Sequence, residues 1–219
     1  MQLCVFNGSP RGRKGNTSII LESFLRGFTM YPGNSYDIYY LNRVKETETH
    51  VRAFKNAESV LLSHPLYTDA MPALVKAFIE ELQPLVGREN NPPIGFLVQS
   101  GFVEAAHSRH VERYWEKFSR RMGSRYLGMM IRGGCEFMHR DQSKYKKVLE
   151  SFHELGRVFG ETGQFDDEMV RKLAGPEQLD GITRAIVKLV WRIMGNPYWD
   201  DWMKENEAFK ESFAQPYTE

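Results

Sequence analysis

The sequence predicts a single large α/β domain built on a doubly wound parallel sheet, followed by a helical extension. Three observations lead to this prediction. Short apolar runs alternate with segments of helical periodicity between residues 1 and 160. The central runs are continuously apolar, as expected for parallel strands buried on both faces. From residue 161 onward the strand signals stop, and only helical periodicity remains.

The first strand is predicted at residues 3–6 and is followed by a Gly-rich turn and by a helix with Ile20, Phe24 and Phe28 on one face. The later strands are predicted at 36–41, 58–65, 94–101 and 125–133, and the later helices at 47–57, 72–82, 105–122 and 143–160. The third strand has to stop at Pro65, because proline has no N–H to donate to a neighbouring strand. Five strand–helix units favour the flavodoxin-like strand order 2-1-3-4-5 over a six-stranded Rossmann sheet.

Composition and charge exclude several classes of protein. The 219 residues are 42% hydrophobic and 26% charged, as in ordinary globular proteins, and the net charge of +1 gives no general attraction for polyanions. We therefore expect neither a nucleic acid nor a membrane as a partner. The start "MQLCVFNG" does not resemble a signal peptide, and two cysteines cannot build a disulfide framework, so we expect a cytoplasmic protein.

Residues 161–219 form the predicted helical extension, and residues 1–160 form the domain. Ile182, Ile186, Leu189, Val190 and Ile193 fall on one helical stripe. Gly195 is the expected end of this helix, and Asn196 and Pro197 the expected start of the next, which carries Trp199, Trp202, Phe209 and Phe213 on one face. We expect the apolar faces, together with Trp191, to be covered by the domain or by a partner subunit. Binding in a membrane surface is the alternative, although Lys188 and Arg192 interrupt the run without making a strongly basic face.

A Gly-rich turn, "NGSPRGRKGNTS" at residues 7–18, follows the first strand. In the order 2-1-3-4-5, ligands bind where the order reverses, between strands 1 and 3. The helix after the turn offers free N–H groups and a positive dipole end, so the turn predicts a phosphate site. Arg11 is placed to hold phosphate in a bidentate manner, and short polar side chains surround it: Ser9, Asn16, Thr17 and Ser18. Neither the Walker spacing nor the dinucleotide G-x-G-x-x-G spacing is present.

Two further loops suit a flat heteroaromatic ring. In "HPLYTDAMPALVKAFIE" at residues 64–80, Pro65 and Leu66 predict an apolar wall, and Tyr67 adds an aromatic face with a polar tip. The loop "QSGFVE" at residues 99–104 places a glycine where backbone can approach a ligand, and then Phe102. Either aromatic residue taken alone is explained as well by ordinary packing.

The two motifs together resemble the NAD(P)H-dependent FMN reductase family of flavodoxin-like proteins, and the resemblance covers roughly residues 1–160. It implies FMN with its phosphate on Ser9, Arg11, Asn16, Thr17 and Ser18. It also implies an isoalloxazine ring beside Pro65, Leu66, Tyr67 and Thr68, with Ser100, Gly101 and Phe102 at its other edge. Many relatives have an Asp-Arg pair where this chain has Glu80 and Glu81. Residues 42–57 contain no cysteine, which excludes the iron–sulfur branch on ligand grounds.

The implied activity is a ping-pong oxidoreductase. NADH or NADPH would reduce bound FMN, and a small acceptor such as a quinone, free flavin, azo or nitro compound would take the electrons. No side chain is expected to be catalytic, because the flavin carries the chemistry. The family also implies a homodimer or homotetramer. The alternative is a flavodoxin-type electron carrier or a non-catalytic flavin-binding module, which the near-neutral charge and the extension disfavour.

Two other candidates are weaker. His107 and His110, three residues apart on a predicted helix, could share a metal, but no third ligand is nearby in the sequence, so we expect none bound. Cys4 is expected in the core. Cys135, after the fifth strand, is expected to be a packed loop residue, with a reactive thiol as the alternative.

Overall fold

The computed structural model describes residues 1–194 and 197–214, in a first compact unit, Met1–Gln178, and a second that begins at Leu179. The first unit contains a five-stranded sheet, with all strands parallel, in the order β2-β1-β3-β4-β5. The strands are β1 (Gln2–Asn7), β2 (Ser35–Tyr40), β3 (Ser59–Pro65), β4 (Ile94–Gln99) and β5 (Tyr126–Arg132). The predicted doubly wound order is confirmed.

Six α-helices of the first unit connect or follow the strands. They are α1 (Asn16–Phe28), α2 (Thr47–Asn56), α3 (Ala73–Glu81), α4 (Ala106–Met122), α5 (Lys146–Thr162) and α6 (Asp167–Ala174). The last of them was not predicted as a separate element. Asp166 caps it by accepting a 2.8 Å hydrogen bond from the N–H of Met169. Leu173 of α6 is buried, so the compact unit extends beyond the range 1–160.

Helices cover both faces of the sheet, and the core is therefore divided into two layers. Side chains alternate along a strand, so Val60 and Leu62 of β3 pack on one side and Leu61 on the other. The first layer includes Phe78 of α3 and Trp115 of α4, and the second is filled mainly from α1 and α5. The sheet is buried on both faces in its centre, which explains why its strands read as continuous apolar runs.

Glycines bring the backbones of α1 and α5 into direct contact in the second layer. A Cβ added at Gly27 would lie 1.8 Å from the carbonyl oxygen of His153, and one added at Gly156 would lie 1.9 Å from that of Phe24. These neighbours are backbone atoms and cannot turn aside as a side chain does. The close packing of α1, which carries the Gly-rich turn at its start, therefore depends on the absence of side chains at these two positions.

The second unit contains α7 (Gly181–Met194), α8 (Pro197–Glu205) and a 3-10 turn at Phe209–Glu211. The first predicted helix is confirmed, but the second ends at Glu205, so Phe209 and Phe213 do not share a helix face with Trp199 and Trp202. The chain turns at Glu207, whose φ is 58°. Gly195 and Asn196 lie outside the described residues, as does the side chain of Trp191. None of the helices in the described part of the chain is long and apolar enough to cross a bilayer.

We predict that Gly156→Ala lowers the free energy of unfolding by about 1–3 kcal/mol, because the added methyl group forces α1 and α5 apart. For a chain of this size, the melting temperature should fall by roughly 2–4 °C per kcal/mol, measured by differential scanning calorimetry. Gly181→Ala is the matched control, since an added Cβ there meets no atom within 4 Å. Equal melting temperatures for the two variants would contradict the close contact.

Candidate functional site

The turn after β1 is closed by the side chain of Asn7, the last residue of that strand. Its Oδ1 accepts a 2.9 Å hydrogen bond from the N–H of Ser9, and its Nδ2 donates to Oγ of Ser18 at 2.8 Å. The Ser18 hydroxyl in turn donates to the carbonyl of Gly12 at 2.9 Å. Asn7 is buried, and it ties the start of the turn to the first turn of α1. The Ser18 hydroxyl is thus engaged within the turn, and its contact with a phosphate stays a prediction.

The first turn of α1 presents uncapped donors. Gly15 is its N-cap and supplies no side-chain acceptor, and the first turn contains no acidic residue. The N–H groups of Asn16 and Thr17 have no acceptor within the helix, and the helix dipole is positive there. A Cβ at Gly15 would lie 2.6 Å from Oγ of Ser9, so the turn folds closely over the helix end. This geometry suits an anion.

Asn16 joins this turn to the loop after β5. Its Nδ2 donates to the carbonyl of Cys135 at 2.6 Å. Its Oδ1 is buried and accepts no hydrogen bond within the described residues. A buried acceptor without a donor is unfavourable by about 1–3 kcal/mol. Because this oxygen can only accept, it suits a ligand hydroxyl, whereas the backbone N–H of Asn16 suits a phosphate.

The loop after β3 makes a tight turn next to the predicted ring position. Tyr67 and Ala70 exchange backbone hydrogen bonds of 2.9 and 3.1 Å. Thr68 and Asp69 between them have φ values of 47° and 60°, which is rare for residues other than glycine and especially for β-branched threonine. Such strain often marks a ligand-binding segment. The side chain of Tyr67 is 47% exposed and free to meet a ligand, while Leu66 is buried.

His107 connects the loops after β3 and β4. Its ring stacks on Phe102 with centroids 4.3 Å apart, and its Nδ1 lies 3.2 Å from Oδ1 of Asp69. The two predicted aromatic walls, Tyr67 and Phe102, are therefore carried by loops that one histidine holds together. His110 instead contacts Arg113 at 2.8 Å. Within residues 1–194 and 197–214, no group of three or more His, Cys, Asp or Glu side chains is arranged so that it could hold a metal ion.

The loop after β4 is fixed by β5 and by the loop that follows it. The N–H of Ser100 donates to the backbone carbonyl of Arg132 at 3.0 Å, and the carbonyl of Ser100 accepts from the N–H of Cys135 at 2.8 Å. The carbonyl of Phe102 accepts from the N–H of Gly134 at 2.8 Å. Because Asn16 also binds Cys135, the structure brings the loops after β1, β4 and β5 together at the carboxyl edge of the sheet.

Comparison with known proteins gives a fold and no close relative. No protein-family model matches the chain, and no curated protein matches its sequence. Solved structures match its fold. The chain has the flavodoxin-like fold. NAD(P)H:quinone oxidoreductase from Methanothermobacter marburgensis is 17% identical with a TM-score of 0.59, and the alignment covers 73% of this chain and 96% of that one.

Two further structures are similar to this chain over most of their length. The apo form of an NADH:FMN oxidoreductase is 16% identical, with a TM-score of 0.55 and coverage of 82% of this chain and 96% of that one. An FMN-dependent NADH-azoreductase from Bacillus anthracis, in complex with FMN, is 9% identical, with a TM-score of 0.54 and coverage of 73% and 99%. At these identities the likeness establishes the flavodoxin-like fold alone.

His64, near the end of β3, is a site-supporting residue that the sequence analysis did not identify. It is fully buried, and its Nε2 accepts a 3.1 Å hydrogen bond from the indole N–H of Trp115. Its Nδ1 therefore carries the proton and donates to the carbonyl of Pro65 at 2.8 Å. Burial lowers the pKa of His64 to about 4. The neutral imidazole thus anchors the first residue of the predicted ring-binding loop.

The sequence analysis also did not identify other residues that support the site, and several of them share one feature of the sequence. Asn7, His64 and Gln99 are polar residues at or near the ends of otherwise apolar strand runs. Gln99 is buried, and its Nε2 lies 3.4 Å from Oγ1 of Thr17. A polar residue in such a position needs a buried partner, which is itself a signal of an organised loop. His107 has no comparable signal in the sequence.

Both cysteines are packed in the interior. Cys4 and Cys135 are buried thiols without a disulfide. Burial raises the pKa of Cys135 to about 12, and it outweighs the nearby charge of Arg132, which acts in the opposite direction. The thiolate is the reactive form of cysteine, so this environment supports the interpretation of Cys135 as a packed loop residue.

We predict that His64 makes the protein less stable in mild acid. Its pKa is about 4 when folded and about 6.5 when unfolded, so the unfolded chain binds the extra proton between these values. The stability is present above pH 6.5, and about 3 kcal/mol is lost as the pH falls to 4. Urea unfolding across this range measures the effect. His64→Gln should lose this part of the pH dependence, whereas the exposed control His110→Gln should keep it. If the free energy of unfolding depended on pH in the same way in the wild type and in His64→Gln, the effect would not come from His64.

Proposed function

We propose that this chain is an FMN-dependent NAD(P)H oxidoreductase that passes electrons from NADH or NADPH to a small acceptor in two half-reactions. One observation carries the proposal. The N-terminus of α1, which has no side-chain cap, lies where the strand order reverses. The loops that carry the exposed side chains of Tyr67 and Phe102 lie at the same carboxyl edge of the sheet. The neighbours described above, whose names include FMN, NADH and quinone, support the same activity.

The residues of the β1 turn fit the phosphate and ribityl parts of FMN. The N–H groups of Asn16 and Thr17 and the hydroxyl of Ser9 would donate to phosphate oxygens, and the exposed guanidinium of Arg11 would neutralise their charge. The unpartnered Oδ1 of Asn16 would accept from a ribityl hydroxyl. The chemistry of these donors and of this one acceptor matches the corresponding ligand groups.

The other two loops fit a flavin ring. Pro65, Leu66, Tyr67 and Thr68 would line one edge, and Ser100, Gly101 and Phe102 the other. The two backbone hydrogen bonds between Tyr67 and Ala70 use the N–H groups of these two residues. The N–H groups of Thr68 and Asp69 would therefore be left to donate to acceptor atoms of the ring. Gly101 permits close approach of the backbone, although Glu136 already lies 3.0 Å from the position of an added Cβ.

Bound FMN supplies hydride acceptance from a nicotinamide and electron delivery to the acceptor. The chain's own residues bind and orient the reactants. A cavity of about 510 Å³ lies beside the ring-binding loop, with walls that include Ala70, Met71, Val111 and Tyr114. Its largely apolar walls favour an aromatic acceptor such as a quinone, azo or nitro compound. We also propose a cytoplasmic location, where nicotinamide nucleotides are available.

Anaerobic reduction of the FMN-loaded protein tests the proposal. We expect NADH or NADPH to bleach the flavin absorption, and a quinone, azo, nitro or flavin acceptor to restore it. Failure of the purified chain to bind added FMN would overturn the proposal entirely. Binding without reduction by either nucleotide would favour an electron carrier or a non-catalytic flavin-binding module.

We predict that Arg11→Ala raises the dissociation constant for FMN by about 10- to 100-fold, since a hydrogen bond to a charged partner contributes on the order of 1.5–3 kcal/mol. Flavin fluorescence titration measures the constant. Lys14→Ala removes one positive charge from the same turn and is the matched control. An equal loss in both variants would show that only the general charge of the turn matters.

A further inference from the structure

Helix α7 has an apolar side that the described residues of its own unit leave exposed. Its side chains Ile182, Ile186, Leu189 and Ile193 are 76%, 56%, 57% and 74% exposed. Val187 and Val190 are also exposed and widen the apolar side to about 160° of the helix circumference, counted at 100° per residue. The stripe of an ordinary surface helix is only somewhat wider than about 100°.

The charged side of α7 carries only cations. Arg184, Lys188 and Arg192 follow each other at intervals of four residues and so share one face. No aspartate or glutamate occurs between Gly181 and Met194. The net charge of the whole chain is only +1, so this cationic face is not visible in the overall composition.

Hydrogen bonds to Asp180 cap the start of α7, and two tryptophans follow in α8. Asp180 accepts hydrogen bonds from the N–H of Thr183 at 2.9 Å and from its hydroxyl at 2.6 Å, which caps the first turn. In α8, the rings of Trp199 and Trp202 lie 5.4 Å apart, and both remain partly exposed. Tryptophan, like tyrosine, is enriched at the boundary between water and lipid.

We propose that α7 lies in the surface of a membrane that contains anionic lipids. Its isoleucine and leucine side chains would enter the acyl region, and Arg184, Lys188 and Arg192 would lie at the level of the lipid phosphates. The wide apolar side and the purely cationic face are complementary to such a surface. A helix that cannot span the bilayer can still bind in its plane. This proposal takes up the alternative that the sequence left open for the extension, and it does not depend on flavin binding. It departs from the expectation that no membrane is a partner, because Arg184 joins Lys188 and Arg192 on one face that is more basic than those two residues alone indicated.

Flotation of the full-length protein with lipid vesicles tests the charge part of the proposal. We expect stronger binding to vesicles of phosphatidylcholine with 30% phosphatidylglycerol than to phosphatidylcholine alone, and weaker binding at high salt. Lys188→Gln/Arg192→Gln should weaken binding to the anionic vesicles about 25-fold, at roughly fivefold for each basic residue. The control Lys144→Gln/Lys172→Gln removes two cations that are 76% and 75% exposed elsewhere, and it should bind like the wild type.

A second pair of variants tests the apolar part. Ile186→Ser/Leu189→Ser should abolish binding to both kinds of vesicle, and the control Val44→Ser/Val86→Ser, at exposed valines of the first unit, should not. The competing explanation is that a second copy of the chain covers the apolar side of α7. Analytical ultracentrifugation without lipid detects such self-association. Self-association that Ile186→Ser/Leu189→Ser abolishes, without vesicle binding by the wild type, would overturn the proposal in favour of a second copy of the chain. Absence of both vesicle binding and self-association would overturn it as well.

Discussion

Every connection between neighbouring parallel strands has to return across a face of the sheet, so all strands end at the same edge. In this chain the order β2-β1-β3-β4-β5 makes the connections leave β1 and β3 toward opposite faces, which opens a crevice at that edge. The crossovers cover both faces with helices, and α1 and α5 approach closely only because Gly27 and Gly156 have no side chains. The position of the candidate site follows from this single constraint.

Buried polar side chains turn that edge into a defined shape. Asn7 closes the turn after β1, Asn16 joins it to the loop after β5, and His64 anchors the loop after β3. Hydrogen bonds in a dry interior are costly to break, because a group left without a partner loses its solvation. The loops are thus held in place before any ligand arrives. Among these side chains, Oδ1 of Asn16 is a buried acceptor with no partner in the described part of the chain, and under the proposed function a ligand hydroxyl would complete the network there.

The extension shows how little the total charge of a chain reveals about its surface. A net charge of +1 suggests no attraction to an anionic surface, yet all charged residues of α7 are cations, while α8 contains Asp200 and Asp201. Electrostatic attraction acts over about 8 Å at physiological salt, so a partner responds to the local face and not to the net charge of the chain. Charge segregation of this kind is therefore visible only when the helix is considered by itself.

The sequence by itself determined the sheet, its order, most helices and the loops at the carboxyl edge of the sheet, because apolar periodicity, Pro65 and the Gly-rich turn are local signals. Only the tertiary structure decided that Asn16 binds a carbonyl 119 positions away, that His107 joins Asp69 and Phe102, and that α6 belongs to the first unit. Contacts between residues so far apart leave no periodic trace in the chain. They form because packing brings buried polar groups together, and each then requires a partner.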